Sequence, residues 1–163
     1  MDIDRRKFLT GAGAAVISGL AGYRLLAADP AQAERFELTL TDAQWRARLS
    51  PAAYNTLRHE ATERPFSSPL LNEHRAGTFV CAGCALPLFA SRTKFDSGTG
   101  WPSFWAPLPR AVGTKTDYAI GYPRTEVHCR RCGGHLGHVF DDGPRPTGKR
   151  YCMNGVALAF RAG

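Results

Sequence analysis

Five cysteines divide unequally along this chain, and the division limits what it can fold into. Four stand as Cys81-Ala-Gly-Cys84 and Cys129-Arg-Arg-Cys132, two Cys-x-x-Cys pairs separated by 44 residues. Two tight knuckles of this spacing present four thiolates tetrahedrally to one Zn²⁺. Gly83 sits inside the first knuckle and Gly133-Gly134 follow the second, where backbone amides must approach sulfur and only glycine relieves the crowding. The intervening stretch exceeds a compact zinc ribbon, so a metal here would clamp two distant parts of a larger sheet. Disulfides are the rival reading, favoured in an oxidising compartment. A Cys-x-x-Cys disulfide is typically a reactive redox element, and no thioredoxin-like βαβ pattern accompanies these pairs, so metal explains them better.

A chain of 163 residues has room for one core. Its front end reads as removable. Arg5-Arg6-Lys7 precede a short apolar stretch from Phe8 to Gly22, and Ala31-Gln32-Ala33 supplies a small-x-small cleavage pattern. The run Asp4-Arg5-Arg6-Lys7-Phe8-Leu9 resembles a twin-arginine (Tat) signal, whose substrates cross the membrane folded. Residues 1–33 are therefore expected to be a Tat-type signal peptide and 34–163 the domain that is periplasmic or otherwise exported. An uncleaved anchor is the alternative, but the apolar stretch is shorter than the roughly 20 residues a spanning helix needs, so no stable membrane insertion is expected after cleavage. The signal holds four basic and three acidic residues, leaving +6 of the net +7 on the remainder. Those charges are scattered, with no basic stripe interleaved with aromatics, which argues against nucleic acid as a partner.

With 17 glycines and 11 prolines, the chain favours turns and short strands over long helices. Two short helices are expected first: one opened by Thr41-Asp42-Ala43-Gln44, with capping-box spacing, the other capped by Ser50-Pro51, running to about Glu60 and stopped by Glu63-Arg64-Pro65. Brief apolar runs at 78–80, 86–90, 125–129, 136–140, 150–153 and 156–161 read as antiparallel strands, with Thr125-Glu126-Val127-His128 and Ala157-Leu158-Ala159-Phe160 alternating as strands with one buried face should. Long loops are expected at 94–105 and 141–149.

Cys152 is left over, in Arg150-Tyr151-Cys152-Met153-Asn154. A lone cysteine is more often a small buried hydrophobe than a nucleophile. A nucleophilic thiol needs positive charge or a base nearby, and Arg150, two residues away on the same side of a strand, and the pair His135 and His138 are placed to supply it. If zinc already has four sulfurs, those imidazoles are free for proton work. His59 and His74 are read as surface residues, His128 as structural.

Phe95-Asp96-Ser97-Gly98-Thr99-Gly100-Trp101-Pro102-Ser103-Phe104, Arg124-Thr125-Glu126-Val127, His135-Leu136-Gly137-His138-Val139-Phe140-Asp141-Asp142-Gly143-Pro144 and Pro146-Thr147-Gly148-Lys149-Arg150-Tyr151-Cys152-Met153-Asn154, with both Cys-x-x-Cys pairs in order, closely resemble the methionine sulfoxide reductase B (MsrB) family from about Leu40 to Phe160. The resemblance implies a mainly β fold of two antiparallel sheets, β-tent-like, with one structural zinc on the side opposite the active site. It implies reduction of methionine-R-sulfoxide by a Cys152 nucleophile that becomes a sulfenic acid. His135, His138 and Asn154 would surround the departing oxygen, His138 as the acid. Trp101 would pack the substrate methyl, with Phe140 completing the slot.

Many family members carry a second, resolving cysteine where this chain has Thr99. With four thiols assigned to zinc, recycling then falls to an external thiol, thioredoxin-like or small, and the substrates are oxidised peptides or proteins. The main competing function is a non-catalytic zinc-bound β module that holds a ligand or protein in an aromatic cage, and a third is a zinc-ribbon nucleic-acid binder. A cage needs neither nucleophile nor proton donors, and an export signal disfavours the third.

Overall fold

The computed structural model describes residues 35–163; the expected signal peptide lies outside them. Two helices lead, each begun as its sequence dictates. The Thr41 side chain accepts the Gln44 N–H and Gln44 answers the Thr41 backbone, opening α1 (Asp42–Arg48). Ser50 caps α2 (Pro51–His59), which ends where Glu60 turns left-handed, before the expected Glu63-Arg64-Pro65 stop. Trp45 from α1 and Tyr54 and Leu57 from α2 are buried. Among the described residues no helix is long and apolar enough to cross a membrane.

Two antiparallel sheets follow. The smaller orders its strands β2 (Pro87–Ala90), β1 (Gly77–Cys81), β9 (Leu158–Ala162). The larger runs β3 (Lys94–Phe95), β4 (Ser103–Phe104), β8 (Arg150–Met153), β7 (His135–Phe140), β6 (Arg124–Cys129), β5 (Val112–Asp117). Mainly β in two antiparallel sheets is the architecture expected. Three strands escaped the sequence reading. β3 and β4 have two residues each and pair across the stretch taken as a loop, and β5 reads Val-Gly-Thr-Lys-Thr-Asp, an edge strand with no apolar alternation to betray it.

Phenylalanines join the sheets. The Phe89 ring from β2 stacks on Phe104 from β4 at 4.4 Å, and Phe79 from β1 meets Phe104 edge-on at 4.9 Å. All three are fully buried, and each such side chain contributes about 1.5–3 kcal/mol by leaving water. β6 departs from the one-faced strand expected of it: Glu126, Val127, His128 and Cys129 are all buried in succession, with Phe36 edge-on to the His128 ring. One face of β6 therefore carries polar groups into the interior.

Candidate active site and metal cluster

β8 lies between β4 and β7, so Cys152 is mid-sheet, opposite Ser103 on one side and His138 on the other. Gly137, next to His138, permits this closeness. A side chain at Gly137 would place its Cβ 2.1 Å from the Cys152 carbonyl oxygen. Cys152 is partly exposed, in a cavity of about 130 Å³ lined by Thr62, Trp101, Arg124, Gly137, His138, Phe140 and Asn154 as well. That space takes the end of one side chain.

Four of the lining side chains, His138, Arg124, Trp101 and Asn154, are tethered by hydrogen bonds. His138 Nε2 lies 2.8 Å from Asp117 Oδ2, the oxygen that also accepts from Arg124. The Ala119 N–H bonds Asp117 at 2.7 Å and, with His138 and Arg124, holds that carboxyl well below the usual carboxylate range. Burial pushes His138 below its ordinary value, against the opposing pull of Asp117. Trp101 Nε1 donates to the Glu63 carbonyl at 3.1 Å. Asn154 Oδ1 accepts the Glu63 N–H at 2.9 Å and its Nδ2 donates to the Leu136 carbonyl at 3.1 Å, leaving one amide hydrogen over. The Glu63 carboxylate accepts the Gly155 and Val156 N–H groups. The residues after α2, read from sequence as a helix stop, are thus a strap that fixes Trp101 and Asn154 together.

His135 stands one layer back, its ring 5.4 Å from that of His138. Its Nδ1 is 2.7 Å from Oε1 of Glu126, which is 2% exposed. Lys115 reaches the other Glu126 oxygen at 3.1 Å. Burial pushes the Glu126 carboxyl up, but the His135 and Lys115 hydrogen bonds together outweigh it and hold the group below its ordinary value. Arg150 forms two hydrogen bonds with Asp142, at 2.8 and 2.9 Å, and covers the Phe140 ring. That pairing raises its pKa, the charge of Cys152 adding to the effect.

The other four cysteines gather elsewhere. Cys81, Cys84, Cys129 and Cys132 are buried, with sulfurs all within 4.8 Å of one another, and all five cysteines are free thiols rather than disulfides. Cys81 and Cys132 sulfurs are 3.8 Å apart and those of Cys84 and Cys129 3.4 Å, against about 3.8 Å between sulfurs held tetrahedrally at zinc–sulfur lengths. Hydrogen bonds led by that from Cys129 push Cys81 up and pull Cys84 down. Four sulfurs so close become thiolates together only around a cation, so the donor set fits one. Gly133 is left-handed (φ 67°), and a side chain there would strike the Phe36 ring at 2.3 Å. At this glycine the crowding comes from an aromatic neighbour and not, as expected, from sulfur.

A model of the SelR domain matches residues 49–162. Peptide methionine sulfoxide reductase MsrB of Thiobacillus denitrificans is 55% identical over 121 residues, 74% of this chain and 92% of its own. The MsrB of Bradyrhizobium diazoefficiens is 57% identical over 119 residues, 72% of this chain and 86% of its own. That of Leifsonia xyli subsp. xyli is 51% identical over 128 residues, 77% and 92%.

The chain belongs to the MsrB family.

In this MsrB-family chain, Cys152, His138, Asn154, Trp101 and Phe140 surround one cavity, while His135 backs it and Arg150 turns to Asp142. Reading the sequence missed Arg124, the cation that lines the cavity, and also Thr62, Asp117, Glu63 and Glu126. Glu126 left a signal: an acidic residue in the middle of an otherwise buried strand requires a partner.

Proposed function

We propose that the chain reduces methionine-R-sulfoxide in peptides and proteins, with Cys152 taking the oxygen and an external thiol returning it to the thiol state. The observation that carries this reading is one cavity in which Cys152, His138 and Trp101 meet while the other four thiols are committed to their own cluster. The Cys152 thiolate attacks the sulfoxide sulfur. Negative charge grows on the oxygen, where His138 donates a proton and Arg124 and the spare Asn154 amide hydrogen stabilise it. The protonated oxygen leaves the substrate sulfur as hydroxide and bonds to the Cys152 sulfur as the transient sulfur–sulfur bond breaks. The methionine thioether departs, and Cys152 is a sulfenic acid, its sulfur having lost the two electrons the sulfoxide sulfur gains. A first external thiol displaces water to give a mixed disulfide, and a second releases Cys152. Trp101 packs the substrate methyl, with Phe140 closing the slot.

Cys81, Cys84, Cys129 and Cys132 would hold one Zn²⁺ that ties β1 to β6 and takes no part in the reaction. Cys129 ends β6 and Arg124 begins it, so about 17 Å of strand separates cluster from cavity. Residues 1–33 direct the folded protein through the Tat route to the periplasm, a reading supported by Arg5-Arg6 and Ala31-Gln32-Ala33; Arg5→Lys with Arg6→Lys is expected to retain the precursor in the cytoplasm, and undiminished export would remove it. The activity is tested by turnover of separated methyl sulfoxide epimers with dithiothreitol. Reduction of the R epimer alone is expected, and equal rates on both would overturn the mechanism.

A further inference from the structure

The face of Cys152 away from His138 meets a row of hydroxyl groups. Thr99 Oγ1 lies 3.8 Å from the Cys152 sulfur, Ser97 Oγ 2.8 Å from Thr99 Oγ1, and Ser103 Oγ 2.8 Å from Ser97 Oγ. Ser103 donates to the Trp101 carbonyl at 3.1 Å. The row is built into the fold. Ser103 is the cross-strand partner of Cys152 in the β4–β8 ladder and is buried, so one end is set by the sheet. The Asp96 carboxylate accepts the Gly98 N–H at 2.9 Å, curling the loop that carries Ser97 and Thr99 back over the sulfur.

A hydroxyl donates one hydrogen and accepts two, and rotates to suit its neighbours. With Ser103 donating to the Trp101 carbonyl, Ser97 donates to Ser103 and Thr99 to Ser97, so Thr99 is left as acceptor for the Cys152 S–H. Once the sulfur is a thiolate the order reverses: Thr99 donates to sulfur, Ser97 to Thr99 and Ser103 to Ser97. Three O–H groups rotate and no heavy atom moves.

We propose that Thr99, Ser97 and Ser103 form a reversible hydroxyl chain that stabilises the Cys152 thiolate, Thr99 as a catalytic residue touching the sulfur and Ser97 and Ser103 as positioning residues behind it. It rests on Cys152 being the nucleophile. Opposite the chain, the charged and titratable groups facing Cys152 are His138 from β7 with its Asp117, Arg124 from β6, and Arg150 from β8 itself. They act on the thiol in every variant alike, so a change caused by removing a hydroxyl belongs to the chain.

The test is the pH dependence of iodoacetamide alkylation at Cys152, followed by peptide mass spectrometry on the folded protein. In Thr99→Val, which keeps the shape, the midpoint is expected to rise by about one pH unit, the worth of a hydrogen bond to a charged acceptor. Ser97→Ala is expected to raise it by roughly a few tenths, since it acts through Thr99, and Thr99→Ser to restore the wild-type value. Ser103→Ala, buried and missing only an oxygen, repeats the Ser97 test from the other end. An unchanged midpoint in Thr99→Val overturns the proposal, and so does a change confined to Thr99→Val with Ser97→Ala and Ser103→Ala at wild type. Dithiothreitol-driven turnover of the R sulfoxide by the wild type is read separately: turnover with no midpoint change sinks the chain alone, and a graded midpoint change without turnover supports the chain while sinking the reductase reading.

Discussion

The four-cysteine cluster and the Cys152 cavity hold the same side chain in opposite company. In the cluster each buried sulfur faces three others within 4.8 Å, with backbone N–H groups of Leu86 and Cys132 as added donors to Cys84 and Cys129. Around Cys152 every neighbour differs: an imidazole, two guanidinium groups, a hydroxyl and an indole. Like surrounded by like gives a site that only a cation satisfies, whereas unlike groups give each stage of a reaction its own partner. The role of a cysteine is set by what faces it, not by its own chemistry.

The sharpest way to break this contrast is to exchange sulfur for oxygen in both places. Cys81→Ser is expected to leave the protein without metal and unfolded by circular dichroism, because structural zinc sites supply about 10–16 kcal/mol against a total stability of about 5–15 kcal/mol. Cys152→Ser is expected to keep both fold and metal and lose all turnover. A folded Cys81→Ser protein, or a turning-over Cys152→Ser protein, would collapse the distinction.

A narrower cut removes the proton donor. His138→Ala is expected to slow single-turnover reduction by about 10² to 10⁴, the reach of general acid catalysis, with zinc content unchanged. Loss of metal in this variant would tie the two regions together.

Asp117 refines that picture through pH. Burial lowers His138, so its imidazolium is present only below the usual 6.5 and the rate should fall as pH rises through a midpoint below that value. Asp117 opposes the fall. In Asp117→Asn the midpoint should move lower still, costing roughly tenfold at pH 7 for each unit it moves; a midpoint unmoved or higher would show that the carboxylate does not hold the imidazolium.

The smallest expected effect lies between the two regions, at Glu126 on β6. Its carboxyl is held below the ordinary value of 4.5 in the folded state, so it contributes stability above the unfolded value, and that contribution is lost as pH falls through the folded one. Glu126→Gln should be less stable than wild type by about 1–3 kcal/mol at pH 6, and urea titrations at pH 6 and pH 4 should show the gap narrowing. A constant gap would deny the carboxylate its charge.

Motifs that repeat a local rule were legible in the sequence. Thr41 with Gln44 and Ser50 with Pro51 announced their helices because a cap is a contact within four residues, and the Cys-x-x-Cys spacing announced the cluster because each knuckle is local. Groups that act through tertiary neighbours were not. Asp117 closes an edge strand without apolar alternation and faces His138 from 21 residues away. Glu63 looks like a helix stop until Trp101 and Asn154, 38 and 91 residues on, bond to it. Arg124 was visible only as one letter of a motif, its place at the cavity set by the β6–β7 register.

Because β8 is paired with a strand on each side, Cys152 is anchored inside a sheet rather than on a loop. A cysteine on a loop can swing outward; this one is held by its strand in the lining of a cavity sized for the tip of a side chain. The burden of movement passes to the visitor. The external thiol proposed to recycle Cys152 would have to project from a narrow prominence, or belong to a small molecule, and arrive along the line behind the sulfur–oxygen bond it displaces. On that proposal, candidate reductants would be sorted by shape before they are sorted by potential, and a blunt protein with a strongly reducing but recessed dithiol is expected to lose to a weaker one whose sulfur stands proud.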